Sequence, residues 1–65
     1  MKTEPLISII SIFYNSAEYV RKNVDSIRSQ KNVNLEIILV DDCSSDNTRS
    51  ILKEYASIDS RIKLI

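Results

Sequence analysis

The chain has 65 residues, which is enough for one small domain near the lower size limit for folding around a single core. Nine basic residues balance nine acidic ones, so no nucleic-acid partner is expected. An apolar content of 43% and a charged content of 28% are typical of a globular segment. Cys43 is the only cysteine, which excludes an internal disulfide and fits a reducing, cytoplasmic location. No apolar run approaches the ~18 residues that span a bilayer, so we expect no membrane span in this segment.

The first predicted element is a strand over Leu6–Phe13, a β-branched and apolar run that is interrupted only by two serines. Because this run has no polar face, we expect it to be covered on both sides, as in a parallel sheet. A helix of about three turns is predicted next, since Val20, Val24 and Ile27 recur with helical spacing.

The second half of the chain repeats this order. A polar connection over residues 31–34 leads to a second strand over residues 35–40. A second helix is predicted to start within residues 44–46 and to end at residues 59–60, and its apolar face comprises Ile51, Leu52, Tyr55 and Ile58. Residues 61–65 begin a third strand, within which the chain stops.

Both helices are preceded by residues that favour helix starts. Asn15 and Glu18 have the spacing of a capping box, with Asn in place of the usual Ser or Thr. Ser44, Ser45 and Asp46 are predicted to supply the N-cap and a first-turn acid of the second helix.

The order strand, helix, strand, helix, strand predicts an α/β fold with a Rossmann-like parallel sheet and right-handed crossovers. Three strands and two helices would leave strand edges and one sheet face poorly covered. We therefore expect residues 1–65 to be the N-terminal portion of a larger domain.

Polar residues follow the first two predicted strands. Tyr14 and Asn15 come after the first, and Asp41 and Asp42 end the second. Because the carboxyl ends of parallel strands meet at one edge, an aromatic ring, an amide and two carboxylates should share that edge. A ring stacks on a base, and a carboxylate accepts from a base N–H or a ribose hydroxyl, so a nucleotide would fit there.

The chain contains no glycine, so it lacks the glycine-rich loops that cradle phosphates in dinucleotide-binding and P-loop folds. If a nucleotide diphosphate binds, a group outside this segment, most naturally a metal ion, must neutralise the phosphates.

Each candidate residue also has a structural interpretation. One carboxylate of Asp41 and Asp42 could cap the next helix while the other pairs with a Lys or Arg. Tyr14 could shield the strand end instead of stacking on a base. We expect Cys43 to be a small turn residue, since the chain has no histidine to activate it, and Arg61 to be solvated.

Three segments together carry a resemblance to a known family. They are residues 8–15 (SIISIFYN), residues 26–30 (SIRSQ) and residues 36–48 (EIILVDDCSSDNT). In this order and spacing, residues 5–65 resemble the start of a family 2 glycosyltransferase with the GT-A fold. The resemblance implies a nucleotide-diphospho-sugar donor, most often a UDP-sugar, bound over this half of the sheet.

The resemblance also assigns roles to individual residues. Tyr14 matches the family's aromatic residue near the base, Asp42 matches the aspartate that contacts the uracil, and Asp41 matches the first acid of that pair. The backbone around Ile12 and Phe13 matches the loop that edges the nucleotide. Here the sequence departs from the family, which often has Pro or Thr and then a small polar residue, and Cys43 replaces the usual Gly after the acidic pair.

The resemblance implies that the family's metal-binding Asp-x-Asp and its catalytic base lie beyond residue 65. No catalytic residue and no metal ligand are therefore expected in this chain, which would be inactive alone. A divalent cation (Mn²⁺ or Mg²⁺) would be bound elsewhere in the full domain.

The implied function is transfer of the sugar, with inversion, to a glycan or lipid acceptor in polysaccharide and cell-envelope biosynthesis. Missing regions would attach the protein to the cytoplasmic face of the membrane. One alternative is a fragment without independent activity. The other is a receiver-like, Mg²⁺-binding signalling module, but those place the acidic pair after the first strand, whereas here it follows the second.

Overall fold

The computed structural model describes residues 5–30 and 34–65, which form a three-stranded parallel sheet and two helices. The elements in chain order are β1 (Leu6–Phe13), α1 (Ala17–Arg28), β2 (Asn34–Asp41), α2 (Thr48–Ile58) and β3 (Ile62–Leu64). This order confirms the predicted Rossmann-like α/β fold.

The strands lie in the order β1-β2-β3, so each strand pairs with the next one along the chain. β1 has its predicted bounds, whereas β2 is one residue longer at each end, because Asn34 pairs with Leu6 and Asp41 pairs with Phe13. The rest of the predicted polar connection, residues 31–33, lies outside the described residues.

A single apolar core lies between the sheet and the two helices. Its buried members are Phe13, Val20, Val24, Leu35, Ile37, Leu39, Leu52, Tyr55 and Ile62. The predicted inner face of α1 is confirmed, with Val20 and Val24 fully buried and Ile27 packed against them. The prediction that Ile58 is buried is wrong, since this residue is 65% exposed where α2 ends and the buried stripe of the helix ends with it.

The other face of the sheet carries no covering element within the described residues. Side chains alternate along β1, so Leu6, Ile10 and Ile12 point away from the helices and are 57%, 62% and 69% exposed. The expectation that β1 is covered on both sides is therefore wrong for this segment. Two successive crossovers of the same hand, in the order β1-β2-β3, place both helices on one face. The predicted uncovered sheet face is thereby confirmed.

One polar row crosses this open face. The Ser8 hydroxyl donates to Glu36 Oε1 at 2.7 Å, and Lys63 Nζ lies 3.1 Å from Glu36 Oε2. The hydrogen bond from Ser8 and the charge of Lys63 lower the pKa of the Glu36 carboxyl. The half of the face on the carboxyl side of this row is apolar, with Ile10, Ile12 and their partners in β2.

A charged cluster closes the amino-terminal edge of the sheet. The Asp59 carboxylate, 10% exposed, accepts hydrogen bonds from Arg28 Nε at 3.1 Å and from Arg61 Nη2 at 2.8 Å. Arg61 also donates to the backbone carbonyls of Arg28 and Gln30. The expectation that Arg61 is simply solvated is therefore wrong. The Arg61 guanidinium, followed by Arg28, holds the pKa of the Asp59 carboxyl far below its usual range.

Candidate functional site

The carboxyl edge of the sheet brings the two predicted recognition residues together. We call this edge the rim and define it as residues 14–16, after β1, together with residues 41–47, from the last residue of β2 to the start of α2. The Asp42 N–H donates to the Phe13 carbonyl at 2.8 Å, which extends the β1–β2 pairing by one residue. Tyr14 and Asp42 are therefore neighbours across the two strands.

Both of these side chains are open to solvent. Tyr14 is 61% exposed, and Asp42 is also exposed. Within residues 5–30 and 34–65, neither side chain has a hydrogen bond or an ion pair. The two groups are thus available to a ligand, and their role in binding one stays a prediction.

The two acids that end β2 have opposite environments. The Asp41 side chain is only 3% exposed; its Oδ1 accepts from the Ser44 N–H at 3.3 Å, and its Oδ2 lies 3.7 Å from Arg49 Nη1. Asp41 therefore holds the start of the β2–α2 loop with protein partners, whereas Asp42 leaves its carboxylate in water. The structural interpretation fits Asp41, and the open carboxylate of the pair is that of Asp42.

The two β1 residues that were predicted to edge a nucleotide also differ. Ile12 lies on the uncovered sheet face and is 69% exposed, while the Phe13 ring is 5% exposed and packs in the core. Of these two side chains only Ile12 borders the rim surface, and the Phe13 carbonyl accepts the hydrogen bond from Asp42.

Asn15 connects the two rim loops instead of capping α1. Its backbone is left-handed, with φ of 45°, a conformation that Asn tolerates better than most residues. The Asn15 N–H donates to Ser44 Oγ at 2.9 Å, and the Ser45 N–H donates to Asn15 Oδ1 at 2.8 Å. The predicted capping box is wrong, because Ser16 is the N-cap of α1 and the Asn15 side chain faces the β2–α2 loop.

Asp46 contributes a second connection between the loops. Its Oδ1 accepts from the Thr48 N–H at 2.9 Å and from the Thr48 hydroxyl, and its Oδ2 accepts from the Ala17 N–H at 3.3 Å. One carboxylate therefore satisfies free N–H groups at the starts of both helices. The hydrogen bonds from Thr48 lower the pKa of the Asp46 carboxyl.

The predicted N-cap of α2 needs correction. Asn47 is the N-cap and makes no side-chain capping bond, and the capping contact comes from Asp46, one residue earlier. Thr48 was missed from the sequence, although it is fully buried and its Oγ1 accepts from the Ser16 N–H at 2.8 Å. The sequence signal for this role was the position of Thr48 two residues after Asp46, because an Asp side chain often accepts from the backbone N–H two residues later.

Cys43 follows Asp42 in a left-handed conformation with φ of 59°, and it is exposed with a free thiol. This agrees with its prediction as a turn residue, at a position where glycine would avoid the steric cost of a Cβ.

The acids of the rim do not fit a divalent cation. No group of three or more Asp, Glu, Cys or His side chains meets in the described parts of the chain. Asp41 and Asp46 already bind protein donors, which leaves Asp42 alone with a free carboxylate.

A separate finding concerns the membrane. Neither helix in the two described ranges combines the length and the apolar character that a bilayer crossing requires.

The open parallel sheet with its two helices defines a Rossmann-like α/β protein. Its candidate site lies at the carboxyl edge, where the strand ends present an aromatic ring and a free carboxylate. The family model for glycosyl transferase family 2 matches residues 8–65, and the chain belongs to that family.

Curated proteins of several bacteria are similar to this chain. TuaG of Bacillus subtilis (strain 168), provisionally named as a teichuronic acid biosynthesis glycosyltransferase, is 44% identical over 95% of this chain and 25% of its own length. An uncharacterised glycosyltransferase of Haemophilus influenzae is 43% identical over 100% of this chain and 20% of its own length. Glycosyltransferase GlyA of Streptococcus pneumoniae serotype 4 is 40% identical over 100% of this chain and 9% of its own length. The chain thus spans a quarter or less of these relatives.

Proposed function

We propose that the rim binds the nucleoside of a nucleotide-diphospho-sugar, and that the whole protein transfers this sugar to a glycan or lipid acceptor. Family membership supports the reaction class. The proposed position of the donor rests on Tyr14 and Asp42, whose exposed side chains lie on adjacent strand ends.

The two side chains have complementary chemistry for a nucleoside. The Tyr14 ring offers a flat apolar surface on which a base stacks, an interaction of about 1–3 kcal/mol per base. The Asp42 carboxylate is a charged acceptor for a base N–H or a ribose hydroxyl, and charge-assisted hydrogen bonds are the stronger ones. Uracil carries an imide N–H that such an acceptor recognises, whereas cytosine has an unprotonated nitrogen in its place. Thymine and guanine also offer N–H donors to a carboxylate, so the UDP-sugar is proposed as the donor from the family resemblance.

The diphosphate of this donor needs neutralisation from outside the rim. The helix N-termini there are occupied by the Asp46 carboxylate, and the guanidinium of Arg49 lies beside Asp41. The divalent cation implied by the family resemblance would therefore be held by residues other than these. An inverting outcome is proposed on that resemblance alone.

We further propose that this segment is one part of a larger glycosyltransferase domain. The support is the bare apolar face of β1, whose Ile10 and Ile12 are each more than half exposed, together with the small share of each relative that the chain spans. The remaining part of such a domain would cover this face. Residues 5–30 and 34–65 by themselves leave these side chains in water.

The proposed biological setting is polysaccharide synthesis for the cell envelope, at the cytoplasmic face of the membrane. The support is the name of the relative TuaG, which refers to teichuronic acid biosynthesis. Because that name belongs to a relative, the acceptor is proposed only by class, as a glycan or a lipid-linked glycan.

The proposal is tested by isothermal titration of the complete protein with UDP. Tyr14→Ala and Asp42→Asn should each weaken the affinity for UDP by about tenfold or more, equal to roughly 1.4 kcal/mol. Tyr19→Ala is the matched control, because Tyr19 is an equally exposed tyrosine on α1, at 64% against 61% for Tyr14. Glu18→Gln serves as the exposed acid control. Unchanged affinity in both rim variants would overturn the proposal.

Cys43 provides an independent measurement in the same protein. Its thiol is exposed and directly follows Asp42, so a nucleotide bound at the rim should slow its alkylation by a maleimide reagent. UDP should protect the thiol in the wild-type protein and lose this effect in Asp42→Asn. Absence of protection in the wild-type protein would place the nucleotide elsewhere, and equal protection in both proteins at one subsaturating UDP concentration would show that Asp42 does not contribute to binding.

A further inference from the structure

Hydrogen bonds between the two rim loops hold them together, and all of them involve side chains that were not assigned to ligand binding. We call the group that makes them the loop clasp and define it as Asn15, Ser44, Ser45, Asp46 and Thr48. Its contacts join residues about thirty positions apart in the chain, which is the spacing between one loop and the other.

The clasp lies directly beside the two open side chains. Tyr14 is followed at once by Asn15, whose N–H and Oδ1 are both bound to the β2–α2 loop. Asp42 is preceded by Asp41, whose carboxylate is held by the Ser44 N–H. Each recognition side chain is therefore free while the backbone next to it is fixed.

The clasp also stabilises the two rim loops, which are short and contain no glycine. Asn15 takes one of the two left-handed positions found in the described residues, and its amide uses that conformation to reach the Ser45 N–H. Removal of the amide would leave the Ser45 N–H without this partner and would release the loop that carries Tyr14. The loop then loses its two contacts with the Asn15 amide oxygen, those from the Ser45 N–H and the Ser45 hydroxyl.

We infer that Asn15, supported by Asp46, is a positioning residue that sets the separation of Tyr14 from Asp42, and so determines how tightly the nucleoside is bound. This inference rests on the proposed function. A stacked base and a hydrogen-bonded base edge must be satisfied simultaneously, so a shift of about 1 Å between the two groups costs affinity that neither group loses alone. Asn15 itself contacts the loop and not the ligand.

The test compares substitutions of Asn15 in the complete protein, with UDP affinity from titration and the thermal midpoint from circular dichroism. Asn15→Leu removes the acceptor and should weaken UDP binding by about tenfold. Asn15→Asp keeps an acceptor for the Ser45 N–H and should restore affinity to within about threefold of wild type. Asn23→Leu makes the same change on the exposed surface of α1 and should leave affinity unchanged.

A positioning role is separated from a merely structural one by a double-mutant cycle. If Asn15 acts through the spacing of the two groups, Asn15→Leu should have little further effect on UDP affinity once Tyr14→Ala is present. Should Asn15→Leu not fold, Asn15→Gly, which removes the acceptor but keeps the left-handed backbone, supplies the same comparison.

Each outcome bears on one idea only. UDP affinity that is unaffected by Tyr14→Ala and Asp42→Asn overturns the proposed function. UDP affinity that falls in those variants but is retained in folded Asn15→Leu overturns the positioning role alone. A lowered thermal midpoint with unchanged affinity at a temperature far below it also overturns the positioning role, as do fully additive effects in the cycle.

Discussion

The two edges of the sheet use charged residues in opposite ways. At the amino-terminal edge, Asp59 binds Arg28 and Arg61, and the Arg61 guanidinium also binds backbone carbonyls. At the rim, the two adjacent acids are divided between these roles: Asp41 is held inside and Asp42 is left in solvent. Charges that satisfy one another fix the fold, whereas a charge left open beside an exposed ring is available for recognition.

Backbone conformation follows the same division. The non-glycine residues with positive φ in the described ranges are Asn15 and Cys43, and both lie in the rim loops. Such conformations cost free energy and cluster where a protein holds a functional geometry. The amino-terminal edge has no such residue among those described.

The largest effect is expected at the amino-terminal edge. Asp59→Asn removes the negative charge between Arg28 and Arg61 and should lower the free energy of unfolding by about 2 kcal/mol, because its hydrogen bonds with the two guanidinium groups lose their charge assistance. Urea denaturation of the complete protein measures this change. Asp42→Asn is the control, and it should stay within roughly 0.5 kcal/mol of wild type.

The same variant predicts a change in acid stability. The folded-state pKa of Asp59 is lowered, so its stabilising contribution is complete above its unfolded value of about 3.9 and is lost as the pH falls below it. Wild type should therefore lose stability below about pH 4 more steeply than Asp59→Asn. Parallel acid-unfolding curves for the two proteins would contradict the assignment.

At the rim, Asp41 and Asp42 should give reversed results. Asp41→Asn loses the ion pair with Arg49 but keeps an oxygen for the Ser44 N–H, so the free energy of unfolding should fall by about 1 kcal/mol. Its UDP affinity should change less than that of Asp42→Asn, which is expected to lose affinity without losing stability. An equal loss of UDP affinity in the two variants would show that the acids act together.

The smallest effect is expected at Cys43, and it is a gain. Cys43→Gly should raise the free energy of unfolding by roughly 0.5–1 kcal/mol, because glycine accepts a φ of 59° without the steric cost of a Cβ. Cys43→Ala keeps the Cβ and should give no gain. Equal stability of the two variants in thermal melts would show that the backbone of Cys43 is not strained.

Much of the fold was accessible from the sequence because it follows from periodicity. The strand Leu6–Phe13 and the inner face of α1 were correctly predicted, since continuous apolar runs and helical spacing report directly on burial. The position of Tyr14 beside Asp42 also followed, because parallel strands bring their carboxyl ends to one edge. The exposure of Ile58 did not, as the spacing of apolar residues does not show where a buried stripe ends.

The contacts within the rim were not accessible in this way. Asn15 and Glu18 have the spacing of a capping box, yet Asn15 bonds to Ser45 across the fold. A local sequence pattern shows only which hydrogen bonds a side chain can make with its neighbours in sequence. The partner that Asn15 binds instead lies thirty residues away and comes within reach only when the two loops meet. The division between Asp41 and Asp42 has the same cause, because alternation along β2 turns the first acid inward and β2 ends before the second.

Ile12 belongs both to the bare face of β1 and to the approach to Tyr14, and this dual position has a thermodynamic consequence. Any polypeptide that shields Ile12 from water must also border the rim. The same polypeptide would then complete both the core and the nucleotide site, so binding of the nucleotide would favour folding by mass action. At a concentration about one hundred times its dissociation constant, a ligand that binds only the closed state stabilises it by about 2.7 kcal/mol. A nucleotide bound at the proposed site would thereby raise the folded fraction of the protein.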